Sequence, residues 1–180
     1  MTEDRRTPLD SARPLRLRAR DAADIVILSA QLQDAIVPLR DIGHDRSKRV
    51  FAMVLNRFRW DLGQIAVDDT LGSDEADEEE ATEAEAGPVF ARSHAGLRFH
   101  HVRSVRQRGL DRGDPGNILY LLSVKPRQGA VVLAFAGGGE IEVVYDRLEA
   151  FLEDLGDPWI TRAAPSHNDD GAFEPDGGNP

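Results

Sequence analysis

Apolar and polar residues alternate late in the chain in a pattern that predicts a β-hairpin. Val131 to Ala136 is an apolar run, and Gly137, Gly138 and Gly139 follow it. From Ile141 to Tyr145 every second residue is apolar, which is typical of a strand with one buried and one wet face. The glycines are interpreted as a tight turn, because a phosphate loop would be followed by a helix and a Lys-Ser/Thr pair.

A helix is predicted directly after this hairpin. Asp146, with Glu149 three residues later, has the pattern of a helix N-cap and its reciprocal acid, and Gly156 with Pro158 is typical of a helix end. The apolar residues between them recur at helical spacing and would form one buried stripe: Leu148, Phe151, Leu152 and Leu155. We therefore expect a C-terminal amphipathic helix that covers the sheet.

A short strand and another helix are predicted at the start of the folded part. Leu15 to Arg20 alternates apolar and basic residues, and Asp21 can cap a helix that runs to about Asp34. Three apolar residues at i, i+3 and i+7 would form its buried face: Ile25, Leu28 and Leu32.

Two strands are predicted between this helix and the middle of the chain. Ile36 to Ile42 is expected at a sheet edge, because Pro38 has no N–H to donate to a ladder. Arg49 to Trp60 is the longest candidate, and its first half is apolar on both faces, which predicts a central strand or one covered by a helix. In its second half, arginines occupy one face.

Two further strands complete the pattern. Gly96 to Arg108 alternates with one slip, which a bulge near His100 and His101 would explain, and Ile118 to Val124 is a buried run. Short connections favour antiparallel pairing. We expect an α+β fold with a mostly antiparallel sheet or a partly open barrel, an N-terminal helix and a C-terminal amphipathic helix.

The charge of the chain is unevenly distributed. The net charge is −10, yet residues 68 to 86 hold ten acids and no Lys or Arg, and the C-terminal tail is also acidic. We expect a single domain over residues 15–165, disordered tails at 1–14 and 166–180, and an acidic disordered loop at 68–87, inserted in a hairpin between Trp60 and Phe90. Without residues 1–14, 68–86 and 166–180, the domain has a net positive charge.

The absence of cysteine and of long apolar runs indicates where the protein is located and whether it spans a membrane. The chain has no cysteine, which excludes disulfides and thiolate metal sites and fits a reducing compartment. No secretory signal and no apolar run of about 20 residues is visible, so a cytoplasmic protein without a membrane span is predicted.

The arginines are the strongest candidates for function. They cluster on the strand candidates, where they would form a face that binds an anionic protein or ligand. RNA binding by the same arginines is an alternative, although few aromatic residues are interleaved for base stacking. The candidate binding residues are Arg57, Arg59, Arg98, Arg103, Arg106 and Arg108.

Catalytic and metal sites find little support in the sequence. His100 and His101 are adjacent, so on a regular strand they face opposite ways and cannot chelate one metal together. No motif of nucleophilic catalysis or dinucleotide binding occurs, so no catalytic residue, metal ligand or cofactor is assigned. The other alternative is a small hydrolase-like enzyme that uses a histidine such as His101 with a nearby carboxylate.

Several motifs together resemble a family of uncharacterised bacterial proteins, a domain of unknown function seen mainly in alphaproteobacteria. The resemblance runs from about Leu15 to His167, and it implies no activity, ligand or catalytic residue. It rests on residues 29–35 (SAQLQDA), 55–60 (LNRFRW), 103–109, 135–139 (FAGGG) and 153–156 (EDLG). The predicted fold is also similar to a pleckstrin-homology-like barrel, whose last helix plugs an open corner, and such folds usually serve as binding modules.

Overall fold

The computed structural model describes residues 9, 12–63, 89–111 and 116–162. The predicted tails and acidic loop lie outside these ranges, except for residue 9 and residues 12–14. Within the ranges the chain forms one α-helix, α1 (Ala22–Leu32), and the strands β1 (Arg16–Ala19), β2 (Ala35–Pro38), β3 (Ile42–Asp45), β4 (Val50–Phe58), β5 (Phe90–Phe99), β6 (Val102–Arg108), β7 (Ile118–Arg127), β8 (Ala130–Phe135), β9 (Glu140–Tyr145), β10 (Ala150–Asp154) and β11 (Trp159–Thr161).

The strands form one antiparallel sheet in the order β1-β10-β5-β4-β2-β7-β8-β9-β6, with β11 beside β5 and β3 beside β4. This confirms the mostly antiparallel α+β architecture. The path has free ends at β1 and β6, so the sheet is not closed into a barrel, and a pleckstrin-homology-like fold is not shown. The predicted glycine turn is confirmed, since it joins β8 to β9.

Helix α1 confirms the predicted N-terminal helix. The Asp21 carboxylate accepts a hydrogen bond from the Asp24 N–H at 2.9 Å and so caps the first turn. Ile25, Leu28 and Leu32 are buried against the inner face of the sheet, and burying each side chain stabilises the fold by about 1.5–3 kcal/mol. Within the described ranges, no helix has both the length and the apolar character needed to cross a bilayer.

The predicted C-terminal helix is wrong, because this segment contains β10. Its backbone pairs with β1 on one side and β5 on the other. Ala150 and Leu152 are buried, and the side chain of Asp154 is fully buried too, whereas Phe151 and Glu153 lie on the outer face. The predicted apolar stripe shares one face only at helical spacing, whereas in the strand Leu152 points inward and Phe151 points outward. Two ladders of backbone hydrogen bonds and burial of alternate residues stabilise the strand.

The predicted edge position of β2 is also wrong. β2 lies between β4 and β7, and Pro38 is its last residue, where a missing N–H does not interrupt the ladder. The neighbouring strand β4 is central, as expected, but only its inner face is closed. Met53 and Leu55 are buried there, whereas Val54 on the outer face is 41% exposed.

The segment predicted as one strand from Gly96 to Arg108 is divided at His100 and His101. β5 ends before these residues and β6 begins after them, and His101 has a left-handed backbone (φ 57°). A register shift between Val102 and Ser104 on β6 lies beside this bend. The bend takes β6 away from β5 and brings it to β9, so the arginines of β5 and β6 lie on different parts of the sheet.

Candidate functional site

Two of the six candidate arginines lie in the interior. The Arg57 side chain is 1% exposed and forms a bidentate ion pair with Asp154 on β10, with Nε and Nη2 donating at 2.7 and 2.8 Å. Arg59 is 2% exposed and donates to Asp61 at 3.0 and 2.7 Å. The hydrogen bonds between Arg59 and Asp61 raise the pKa of the arginine and lower that of the acid. These two arginines do not join the others on one face.

Arg98 belongs to a separate cluster on the outer face of β5. Its Nη2 lies 3.2 Å from a carboxylate oxygen of Glu153 on β10. Its guanidinium also lies over the Phe151 ring, 4.9 Å from the centroid, and Arg18 approaches the same ring at 5.3 Å. Such contacts explain why the half-buried Phe151 lies on the outer face of its strand.

Arg103, Arg106 and Arg108 lie together on β6. Arg106 contacts Glu142 at 3.0 Å and Arg108 contacts Glu140 at 2.9 Å, both across the β6–β9 ladder. These two arginines therefore form the regular cross-strand ion pairs that stabilise antiparallel strands.

Two of the acids that meet the β6 arginines are shared with a second arginine. Asp146 accepts hydrogen bonds from Arg49 and Arg103, and these lower the pKa of its carboxyl group. Glu142 has Arg127 3.9 Å away in addition to its partner on β6. We call the five arginines in these pairs the cationic edge: Arg49, Arg103, Arg106, Arg108 and Arg127.

His101 has a nearby carboxylate, as the catalytic alternative requires. Its Nε2 lies 3.1 Å from Glu149, and Arg147 donates to the same nitrogen at 2.6 Å. One ring nitrogen cannot donate to an acid and accept from an arginine at the same time, so these contacts compete. A hydrogen bond from Arg18 is the main reason that the pKa of Glu149 falls to about 2.

The pair of His101 and Glu149 lies apart from several clefts of the described part of the chain. Five clefts in the described part of the chain have linings that include neither His101 nor Glu149. A general base needs a free lone pair beside a bound substrate. In the same ranges, no group of three or more histidines and acids is placed to hold a metal ion.

A polar cleft of about 510 Å³ opens between β3 and β6. Its polar side chains are His44 on β3, Arg46 in the turn that follows, and Gln107 on β6. Gly43 and the apolar side chains of Ile42, Phe51 and Val105 complete the lining. Sequence reasoning did not find this cleft. Its polar residues come from strands far apart in the chain, and no motif links an isolated histidine to a distant glutamine.

A family model described as "Protein of unknown function (DUF2948)" matches residues 15–167 of the chain. This range covers the motifs that indicated an uncharacterised family. No curated protein matches the chain, and no solved structure does.

Proposed function

The chain belongs to the family described as proteins of unknown function (DUF2948), and from its own geometry we propose that it is a non-enzymatic binding module for an acidic segment of another protein. The cationic edge is the proposed contact surface. We also propose a cytoplasmic location, which a sequence without cysteine favours.

The proposal rests on the charge imbalance of the cationic edge. Its five arginines contact three carboxylates, those of Asp146, Glu142 and Glu140. The internal pairs therefore leave an excess of positive charge. The β6 arginines are 69–79% exposed, so their remaining N–H donors face solvent. A surface of this kind attracts an oppositely charged partner and speeds the encounter.

The spacing of the arginines favours an extended partner. Arg106 and Arg108 lie two residues apart on the same face of β6, which separates their Cα atoms by about 7 Å. An extended peptide with acids at every second position repeats at the same distance. Its carboxylates would be in register with both guanidinium groups.

A protein partner is favoured over RNA because β6, which carries three of the five arginines, contains no aromatic residue. Binding of single strands without a sequence code depends largely on stacking of bases on aromatic rings. The edge offers charge and hydrogen-bond donors, which suit carboxylates as well as phosphates.

The test uses a fluorescein-labelled peptide with glutamate at alternate positions, and anisotropy at several salt concentrations. Arg106→Gln with Arg127→Gln removes both contacts of Glu142 and should weaken binding roughly 2- to 30-fold, since each exposed pair is worth about 0.2–1 kcal/mol. The matched control is Arg16→Gln with Arg20→Gln, which also removes two exposed arginines. These lie at or near β1, which is at the opposite end of the sheet from β6.

Each outcome has a defined meaning. A loss of affinity in the first double variant only, with binding that weakens as salt rises, supports the proposal. Equal losses in both double variants would indicate general electrostatic attraction. A labelled single-stranded RNA that binds more tightly than the peptide, and is released by the same pair of substitutions, would replace the protein partner with RNA.

A further inference from the structure

His44, which lines the polar cleft between β3 and β6, has a ring nitrogen with no partner among the described residues. His44 Nε2 is buried from solvent and makes no hydrogen bond with any described residue. A buried polar atom without a partner costs free energy, and most such atoms in folded proteins are paired. His44 lies opposite Phe51 in the β3–β4 ladder, so its ring lies on the inner side of the strand, where the cleft opens.

Arg46 supplies an unpaired positive charge to the same cleft. It forms no ion pair within the described ranges, whereas the arginines of the cationic edge all contact carboxylates. Gln107 adds an amide that can donate and accept hydrogen bonds. The cleft therefore combines one arginine with two further hydrogen-bonding side chains.

We infer that this cleft binds a small polar anion. A carboxylate or phosphate of the ligand meets Arg46, and its other polar groups bond to Gln107 and contact the part of the His44 ring that lines the cleft. The volume of about 510 Å³ lies in the range of about 300–1,000 Å³ common for small-molecule sites.

This site is distinct from the cationic edge. Val105 and Gln107 alternate along β6 with Arg106 and Arg108, and successive side chains of a strand point to opposite faces. The cleft and the edge thus lie on opposite sides of β6. Their ligands can be tested separately, and the failure of one proposal leaves the other in place.

The test follows the histidine ring signals by NMR during titration with malate, inorganic phosphate or benzoate. The chain has five histidines, so the His44 signal can be assigned by its loss in His44→Asn. Malate or phosphate should shift this signal saturably, and the better of the two identifies the anionic group. Benzoate, which lacks further polar groups, should bind more weakly.

Two variants and a control complete the experiment. Arg46→Met should lower the affinity about tenfold or more, because it removes a charged hydrogen bond, and Gln107→Leu should lower it less. Arg40→Met is the matched control, since Arg40 is an exposed arginine outside this cleft, and it should leave the affinity unchanged. All of these variants should keep the wild-type thermal melt. The inference is overturned if the His44 signal does not shift, if Arg40→Met weakens binding as much as Arg46→Met, or if benzoate binds as well as malate and phosphate.

Discussion

Replacement of Asp154 by alanine would leave the charge of Arg57 without a partner inside the domain. The two side chains are 0% and 1% exposed, and the carboxylate also accepts a hydrogen bond from the Leu15 N–H at 2.8 Å. The substitution thus removes the counter-ion of a buried guanidinium and the acceptor of a backbone donor. Water has little access to either group, so neither is solvated without a change in structure.

The expected loss of stability is large. Removal of one partner from a buried ion pair costs about 3–5 kcal/mol. A domain of this kind has a free energy of unfolding of about 5–15 kcal/mol, so the variant would lose much of its stability. Glu153→Ala is the matched control, because Glu153 lies next in sequence and forms a partly exposed pair with Arg98, which is worth about 0–1 kcal/mol.

Urea unfolding measures both variants, with tryptophan fluorescence as one signal and circular dichroism as the second. The double variant Arg57→Met with Asp154→Leu tests the cause. An apolar pair of similar volume removes both charges, so the double variant should be more stable than Asp154→Ala. The reasoning is refuted if Asp154→Ala costs no more than Glu153→Ala. If the double variant loses as much stability as Arg57→Met and Asp154→Leu lose together, the unpaired charge is not the source of the loss.

Three further predictions concern β10, the pH response and the glycine turn. Leu152→Asp should abolish cooperative unfolding, because it buries a charge without a partner. Phe151→Asp should cost only about 1–2 kcal/mol of stability, from its lost cation–π contacts. Equal effects of the two variants in a urea melt would contradict the assignment of β10 as a strand. The pKa of Glu149 is about 2 in the folded protein, against an ordinary value of 4.5. The stability that wild type gains over Glu149→Gln should therefore be complete above pH 4.5 and disappear as the pH falls towards 2. Parallel stability curves for the two proteins from pH 6 to 2 would refute this. Gly138 has φ 84°, so Gly138→Ala should lower stability by about 1–2 kcal/mol, whereas Gly156→Ala, in open space, should have no measurable cost in the same melt.

Local sequence signals predicted the parts of the fold that local interactions determine. The cap at Asp21 and the apolar stripe of α1 lie within one segment, and the structure confirms both. The antiparallel pairing of β4 with β5 confirms the predicted hairpin between Trp60 and Phe90. The prediction failed at β10 because the inward position of Asp154 is charged. A buried carboxylate looks like a solvent-facing residue until its partner, 97 residues away in sequence, is known.

The candidate site could be predicted only in part for a similar reason. The sequence indicated that Arg103, Arg106 and Arg108 belong together on one strand, and they do. It could not predict that Glu142 and Glu140 lie opposite two of them, because this depends on the register of β6 against β9. The inward direction of Arg57 had the same cause, since only the sheet topology places an acid beside it.

The position of β10 has a consequence for how the protein is made. β10 lies between β1 and β5, and residues 15 and 154, which hydrogen-bond to each other, are separated by 139 positions. On the ribosome, β1 therefore emerges long before the strand that holds it. Until β10 is synthesised, the edge of β5 that it will cover is open to pairing with other chains. Such distant pairing also slows folding. The nascent chain thus keeps this strand edge exposed until β10 has left the exit tunnel.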